Sequence, residues 1–296
     1  MKQIKRKFKY KLEYYLIISF INILLLFPEK VRYSFAEKLG ILGYHLIKKR
    51  RMVALANLKL AFPEKTEEER IQLAKKNYKV LAKAYMSSIW LQDYIFDETK
   101  VTVENYNLLD EAVEEGNGVI IAGIHMGNLE AFFKVTEKYR FADVVKAQRN
   151  PYIDNYITEN RKKFDFDIIV KSKRTSRELI KVLKRKEILV LLSDHRDKGA
   201  TVNFFGRETI APTGAVHFAL KFDRPLLLSY SIFNDDNTQI VKIAKRVELV
   251  RTGDLKKDVS TNTQNLITLI EKEIRKHPEQ WMWFHDRWRL SKEFKK

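Results

Sequence analysis

The chain has 296 residues, 45% of them hydrophobic, which suffices for one sizeable core with an appendage and gives no sign of two equal domains. It contains no cysteine, which excludes a disulfide framework and any Cys-based metal or redox site, so packing alone must hold the fold. The 56 lysines and arginines against 38 acidic residues give a net charge of +18 spread along the chain. Such a surface favours anionic partners: phospholipid headgroups, phosphorylated glycolipid, an acidic carrier protein or nucleic acid.

The first eleven residues hold six basic side chains (Lys2, Lys5, Arg6, Lys7, Lys9, Lys11), and Tyr14 to Phe27 is then uncharged and apolar up to Pro28. Fourteen residues fall short of the roughly 20 that a spanning helix needs. Pro28-Glu-Lys lacks a small-residue cleavage site, so an uncleaved anchor is expected, lying in the interface or spanning with local thinning. The basic flank puts the N-terminus on the cytoplasmic side. Val31 to Leu60 reads as two further helices, with Gly40 and Gly43 permitting close packing, and Lys48-Lys-Arg-Arg51 between them is either a phospholipid contact or a solvated charge run. Residues 1–62 are therefore expected to form an anchor and helical appendage. Residues 63–296 form the main domain, opened by a Thr66-x-x-Glu69 capping box that starts a helix to about Leu91.

Val119 to Ile124 is a β-branched run that reads as a strand buried on both faces, and Asn128 caps a helix over Leu129 to Lys138. Ala142 to Ala147 is a second strand, and Asn150-Pro151 starts another helix. Asp167 to Val170 is a third strand, Thr175-x-x-Glu178 caps a helix to Lys186, and Ile188 to Ser193 is a fourth strand running into Asp194. Strands at Val202 to Phe205 and Pro225 to Phe233 flank a helix from Pro212 to Phe222. Gln239 to Val250 alternates like an antiparallel edge, and Asp258 to Lys276 closes the chain as an amphipathic helix. Trp281, Trp283 and His285 alternate with Met282 and Phe284, as in a strand covered on both faces, with a lipid-facing aromatic belt as the other reading. The expected fold class is α/β, a mixed but mostly parallel sheet flanked by helices, with an N-terminal hydrophobic anchoring helix.

Chemistry gathers after the first of these strands. His125 stands beyond the carboxyl end of a strand and before a helix N-terminus, where α/β proteins hold ligands. Within one helix Glu130 would sit about 140° from it, but a tight turn at Gly127 lets the two converge. A carboxylate holding one ring nitrogen would leave the other free to act as a general base. Equally, His125 could bond only backbone, and Glu130 could merely complement a helix dipole. Arg149, with Lys146, Lys173 and Arg174, falls near element ends, where a guanidinium can grip phosphate. Phe204, Phe205, Gly206 and Arg207, followed by Pro212-Thr213-Gly214, offer aromatic surface beside a turn and a helix start, suited to an acyl chain or to core packing.

His125-Met-Gly-Asn-Leu-Glu130 resembles the H-x-x-x-x-[DE] motif of glycerolipid-type acyltransferases, in the form found in the lipid A biosynthesis late acyltransferases and related mannoside acyltransferases. The segment Arg51-Met-Val-Ala-Leu-Ala-Asn-Leu-Lys-Leu-Ala-Phe-Pro63 resembles that family's N-terminal stretch. Asn150-Pro151, Asn203 to Gly214 and His277 to His285 follow in the family's order and extend the likeness over nearly the whole chain. One departure is His195, where relatives usually carry Gln after the residue matching Asp194.

The resemblance implies a membrane-bound O-acyltransferase, on the cytoplasmic face of a bacterial inner membrane, moving a fatty acyl group from an acyl carrier protein or coenzyme A thioester to a hydroxyl of a lipid A precursor or related anionic glycolipid. Nucleic acid drops out as a partner. A thioester is already electrophilic, so the reaction needs no metal or other cofactor, only a base, an oriented alcohol and oxyanion stabilisation. His125 is then the expected base and Glu130 its orienter, with backbone N–H groups near Gly127 and Asn128 as oxyanion donors. Substrate contacts are expected from Gly127, Asn128, Arg149, Asn150, Asp194, Phe205, Gly206, Arg207, Thr213 and Gly214. Two rival readings are a metal-dependent hydrolase using His125, Glu130, Asp194, His195 and Asp197 as ligands, and a non-enzymatic basic membrane-binding protein.

Overall fold

The computed structural model describes residues 2–172 and 174–295, with the side chains of residues 2–5, 293 and 295 excepted; the expectation for Lys173 lies outside the described residues. Three helices come first: α1 (Lys2–Leu25), α2 (Glu29–Leu46) and α3 (Lys48–Ala61). α1 ends before Pro28, which disfavours helical backbone at the residue preceding it. Among the described residues no helix is long and apolar enough to cross a membrane. The spanning alternative for the N-terminal run is therefore corrected: its charged first turns leave too short an apolar stretch. α1 lies along the outside, against the helix α6 (Pro151–Arg161), where Asn150 donates to the Tyr10 carbonyl at 2.9 Å.

α2 packs on α4 (Glu67–Ser87). Gly40 allows this approach, since a Cβ there would stand 2.4 Å from the Tyr78 carbonyl oxygen, whereas Gly43 faces open space. Thr66 and Glu69 close the capping box at the start of α4, which tightens into a 3-10 turn over Ser88–Asp93.

Among the described residues the main sheet has seven strands, with β1 (Val101–Glu104), β2 (Val119–Gly123), β3 (Phe141–Val145), β4 (Phe166–Val170), β5 (Ile188–Leu192), β8 (Leu226–Phe233) and β9 (Gln239–Arg246) in the order β1-β9-β8-β2-β5-β3-β4. The five strands from β8 to β4 are parallel; β9 turns antiparallel to β8, and β1 lies parallel to β9 at the edge. Helices α5 (Tyr106–Glu114), α7 (Thr175–Lys184), α8 (Gly214–Phe222) and α9 (Leu255–Lys276) complete the α/β architecture. β2 is central and buried on both faces. Ile120 and Ala122 pack with Val216, Ala219, Ile267 and Ile270 on one side, while Val119 and Ile121 meet Trp90, Phe133 and Val135 on the other.

Five local expectations change. Thr175 does not cap α7, whose N-cap is Arg174 with no side-chain cap hydrogen bond. The segment expected as an antiparallel edge, β9, lies inside the sheet, with β1 beyond it at the edge. Leu129–Glu137 is a 3-10 helix. Residues 199–212 form a hairpin, β6 (Gly199–Phe204) and β7 (Arg207–Pro212), turning at Phe205-Gly206. The Trp281 to His285 segment is a loop with a single bridge, from Trp281 to Met126. Its carbonyls are satisfied by side chains in place of a ladder: Asn77 donates to the carbonyls of Glu279 and Trp281, and Asn57 to those of Trp283 and His285, at 2.6–2.8 Å.

Candidate active site

β2 and β5 are adjacent and parallel, with Gly123 opposite Leu192. Two residues further along each, His125 and Asp194 leave the sheet side by side. The His125 ring approaches Asp194 with Nδ1 2.7 Å from Oδ1, and the His125 backbone N–H donates to Oδ2 at 2.9 Å. Trp281 donates its Nε1–H to the same Oδ2 at 2.6 Å, which ties the last loop to the carboxyl ends of these central strands. Asp194 is fully buried. Burial alone would raise its pKa, but the charge of His125 and the hydrogen bonds from His125 and Trp281 hold it far below the usual carboxylate range. Burial would lower the pKa of His125, and Asp194 outweighs this and raises it. The geometry is that of a histidine with its tautomer fixed by a buried carboxylate, its Nε2 making no hydrogen bond among the described residues and its side chain 18% exposed.

The expected contact between His125 and Glu130 is not the one formed. Glu130 Oε1 accepts from Arg161 Nη2 at 2.5 Å and Nε at 3.2 Å, and among the described residues it makes no hydrogen bond to His125. The reason is local. Gly127, at φ +56°, turns the chain so tightly that a Cβ there would stand 2.6 Å from the Ser231 carbonyl oxygen. The following turn then carries Glu130 toward α6 and its Arg161. Asp143, on β3, lies within electrostatic range of His125, Glu130 and Arg161, and burial pushes its carboxyl above the ordinary range.

The other candidates separate into groups. Asn128 is buried and its side chain is consumed: it donates to Ser87, Tyr94 and Gln239 and accepts the Glu130 N–H as a cap. The Gly127 N–H donates to the Gln280 carbonyl at 3.1 Å, so it is already engaged and does not serve as an oxyanion donor in this arrangement. Asn150 caps α6 and bonds α1. Arg149 is exposed and forms no ion pair among the described residues. Phe205 is core, between Phe62, Trp283 and Trp288, under the guanidinium of Arg275, and Gly206 and Arg207 follow at the exposed hairpin tip. Thr213 and Gly214 sit at the hairpin's base and open α8, with Gly214 facing Leu191 of β5.

Sequence reasoning missed three side chains around Asp194 and Glu130: Trp281, Arg161 and Arg287. Arg287 is fully buried, donates to the Asp194 carbonyl at 2.8 Å, and ties Thr209 and the Ile210 carbonyl of β7 to the same point. Burial lowers its pKa to about 10. The signal for Asp194 was the strand-end position after an apolar run. No sequence spacing marked Arg161 or Arg287.

A family model described as bacterial lipid A biosynthesis acyltransferase matches residues 1–290. The chain belongs to this family. It is thus an acyltransferase of lipid A biosynthesis. Among relatives, a lipid A biosynthesis palmitoleoyltransferase of Escherichia coli K12 is 24% identical over 275 residues, 88% of this chain and 86% of the relative. A lauroyltransferase of the same organism is 26% identical over 278 residues, 90% and 88% of the two chains. A lipid A biosynthesis acyltransferase of Haemophilus influenzae is 25% identical over 289 residues, 93% and 90%.

Proposed function

We propose that this acyltransferase moves a fatty acyl chain, of the lauroyl or palmitoleoyl kind named for its relatives, from an acyl carrier protein or coenzyme A thioester to a hydroxyl of a lipid A precursor or related anionic glycolipid. The observation that carries the mechanism is the 2.7 Å approach of His125 Nδ1 to the buried Asp194 carboxylate. His125 Nε2 takes the proton of the acceptor hydroxyl as its oxygen attacks the thioester carbonyl. The carbon–sulfur bond then breaks, and the proton passes to the leaving thiolate. Asp194 stabilises the imidazolium that forms between these steps. Glu130 acts through Arg161, holding a guanidinium at the rim of the site, where it can meet anionic substrate groups.

Work at a membrane surface is supported by the apolar side chains that α1 and α2 leave outside. Phe8, Leu16 and Ile23 of α1, Leu26 just after it and Leu46 of α2 are 58–82% exposed, and the exposed basic residues Lys48, Lys49 and Arg50 follow α2 in sequence. The helices lie in the interface of the inner membrane, on its cytoplasmic face, with phospholipids as partners. The test is acyl transfer in vitro from carrier-protein and coenzyme A thioesters to a purified lipid A precursor, read by mass spectrometry. The acceptor should gain one acyl unit, and His125→Ala should slow the gain by about 10²–10⁴; an unchanged acceptor mass with every donor would sink the proposal.

A further inference from the structure

His195 follows Asp194 directly and has no part in the acyl-transfer step, yet its ring meets that of His125 edge-on, with centroids 5.7 Å apart. One ligand atom from each of His125, Asp194 and His195 lies within 4.8 Å of the other two. The His195 Nδ1 is buried and has no hydrogen-bond partner among the described residues, and neither has the buried Nε2 of His285 on the neighbouring loop. Two imidazoles and a carboxylate thus converge with a nitrogen lone pair unspent. We propose that His125, Asp194 and His195 form a binding site for a divalent transition metal of the Zn²⁺ class, whose occupation shuts off acyl transfer.

The donor set selects the metal. Imidazole nitrogens with one carboxylate suit Zn²⁺, Co²⁺, Ni²⁺ or Cu²⁺, whereas Mg²⁺ and Ca²⁺ seek oxygen ligands. Bonds of about 2.0–2.2 Å in a tetrahedral shell bring ligand atoms to roughly 3.4 Å of each other. Asp194 Oδ1 and His125 Nδ1, hydrogen-bonded at 2.7 Å, would give up the proton between them and move apart by about 0.7 Å to admit the ion, and a side-chain rotation would bring in His195, whose ligand atom lies within 4.8 Å of the other two. A fourth position remains for water or for His285. The metal also meets a fully buried carboxylate oxygen, since Asp194 is 0% exposed. Binding stands on this geometry alone. The inhibition rests on His125 being the base, because a metal held there takes the imidazole out of proton transfer or breaks its contact with Asp194.

Full-length protein without a histidine tag, in detergent, is titrated with CoCl₂ and then ZnCl₂. Expected is a saturable one-to-one Co²⁺ ligand-field absorption that Zn²⁺ displaces, with loss of acyl transfer in step and recovery on adding EDTA. His195→Gln should keep acyl transfer while its Zn²⁺ affinity falls roughly tenfold or more; His195→Asn serves in its place if that variant does not fold. No saturable Co²⁺ absorption in the unmutated protein, or equal Zn²⁺ affinity in the His195 variant, would overturn the site. Metal binding with unimpaired transfer would overturn the inhibitory link. Metal binding in a protein that transfers no acyl group under any condition would uphold the site and overturn the proposed function.

Discussion

Replacing Asp194 by Asn changes no more than one atom of each side chain's outline, and its effects can be worked from three hydrogen bonds. The carboxylate accepts from the His125 backbone N–H at 2.9 Å, meets His125 Nδ1 at 2.7 Å and accepts from Trp281 Nε1–H at 2.6 Å. An amide has one acceptor oxygen, so its NH₂ faces a donor and leaves at least one buried group unmatched, costing about 1–3 kcal/mol of stability. For turnover the loss is larger. The amide cannot stabilise the imidazolium and permits the wrong tautomer, and on the precedent of hydrolytic triads the cost is on the order of 10³–10⁴. The pH profile supplies a second reading. His125 must be neutral to accept a proton, so kcat/KM rises with pH through its pKa, which Asp194 lifts above the ordinary histidine value against the lowering effect of burial. Without the carboxylate, burial prevails and the acid limb moves to lower pH. Acyl transfer at a series of pH values, with thermal melting to confirm folding, decides the matter. Retention of activity within about tenfold of wild type, or an acid limb that stays in place, would refute the pairing.

Gly127→Ala should cost about 2 kcal/mol or more, because its φ of +56° strains an L side chain and its Cβ would meet the Ser231 carbonyl; denaturant melts reporting wild-type stability would show the turn to be slack. Removal of residues 1–27 should strip most of the protein from membranes at high salt, since it deletes the exposed apolar face of α1; unchanged sedimentation would assign attachment to α2 and the basic cluster alone. Arg149→Ala should weaken use of a phosphorylated acceptor by roughly tenfold relative to an unphosphorylated analogue, as befits an exposed guanidinium with no ion pair among the described residues. Equal losses on both acceptors would give Arg149 a different part.

Elements whose signals are local were legible. Val119–Gly123 is the buried strand expected from its β-branched run, Thr66 and Asn150 cap their helices, and Gln239–Arg246 is antiparallel to its neighbour β8 as expected, although β1 and not this strand takes the edge. The short β1, Val101–Glu104, was passed over because four residues carry almost no periodicity. β7 was missed because Arg207-Glu-Thr-Ile-Ala-Pro reads as polar loop until its hairpin partner is known. Alternating aromatics at Trp281 to Phe284 imitated a strand, but Asn57 and Asn77, far away in sequence, satisfy that backbone instead. The site shows the same division. The position of His125 at a strand end was visible from composition alone, whereas its partner depended on β5 being the neighbour of β2, a fact of strand order that no residue spacing encodes. Glu130 was nearer in sequence, and the turn at Gly127 sends it to Arg161.

The central claim, that Asp194 and not Glu130 forms the catalytic unit with His125, is tested most directly by two double-mutant cycles in one acyl-transfer assay. His125→Ala should lower turnover by about 10²–10⁴, and adding Asp194→Asn should make it little worse, because residues acting as one unit lose their effect together. Glu130→Gln, acting through Arg161, should instead multiply with His125→Ala. A multiplicative loss for His125 with Asp194, together with a non-additive one for His125 with Glu130, would contradict the account.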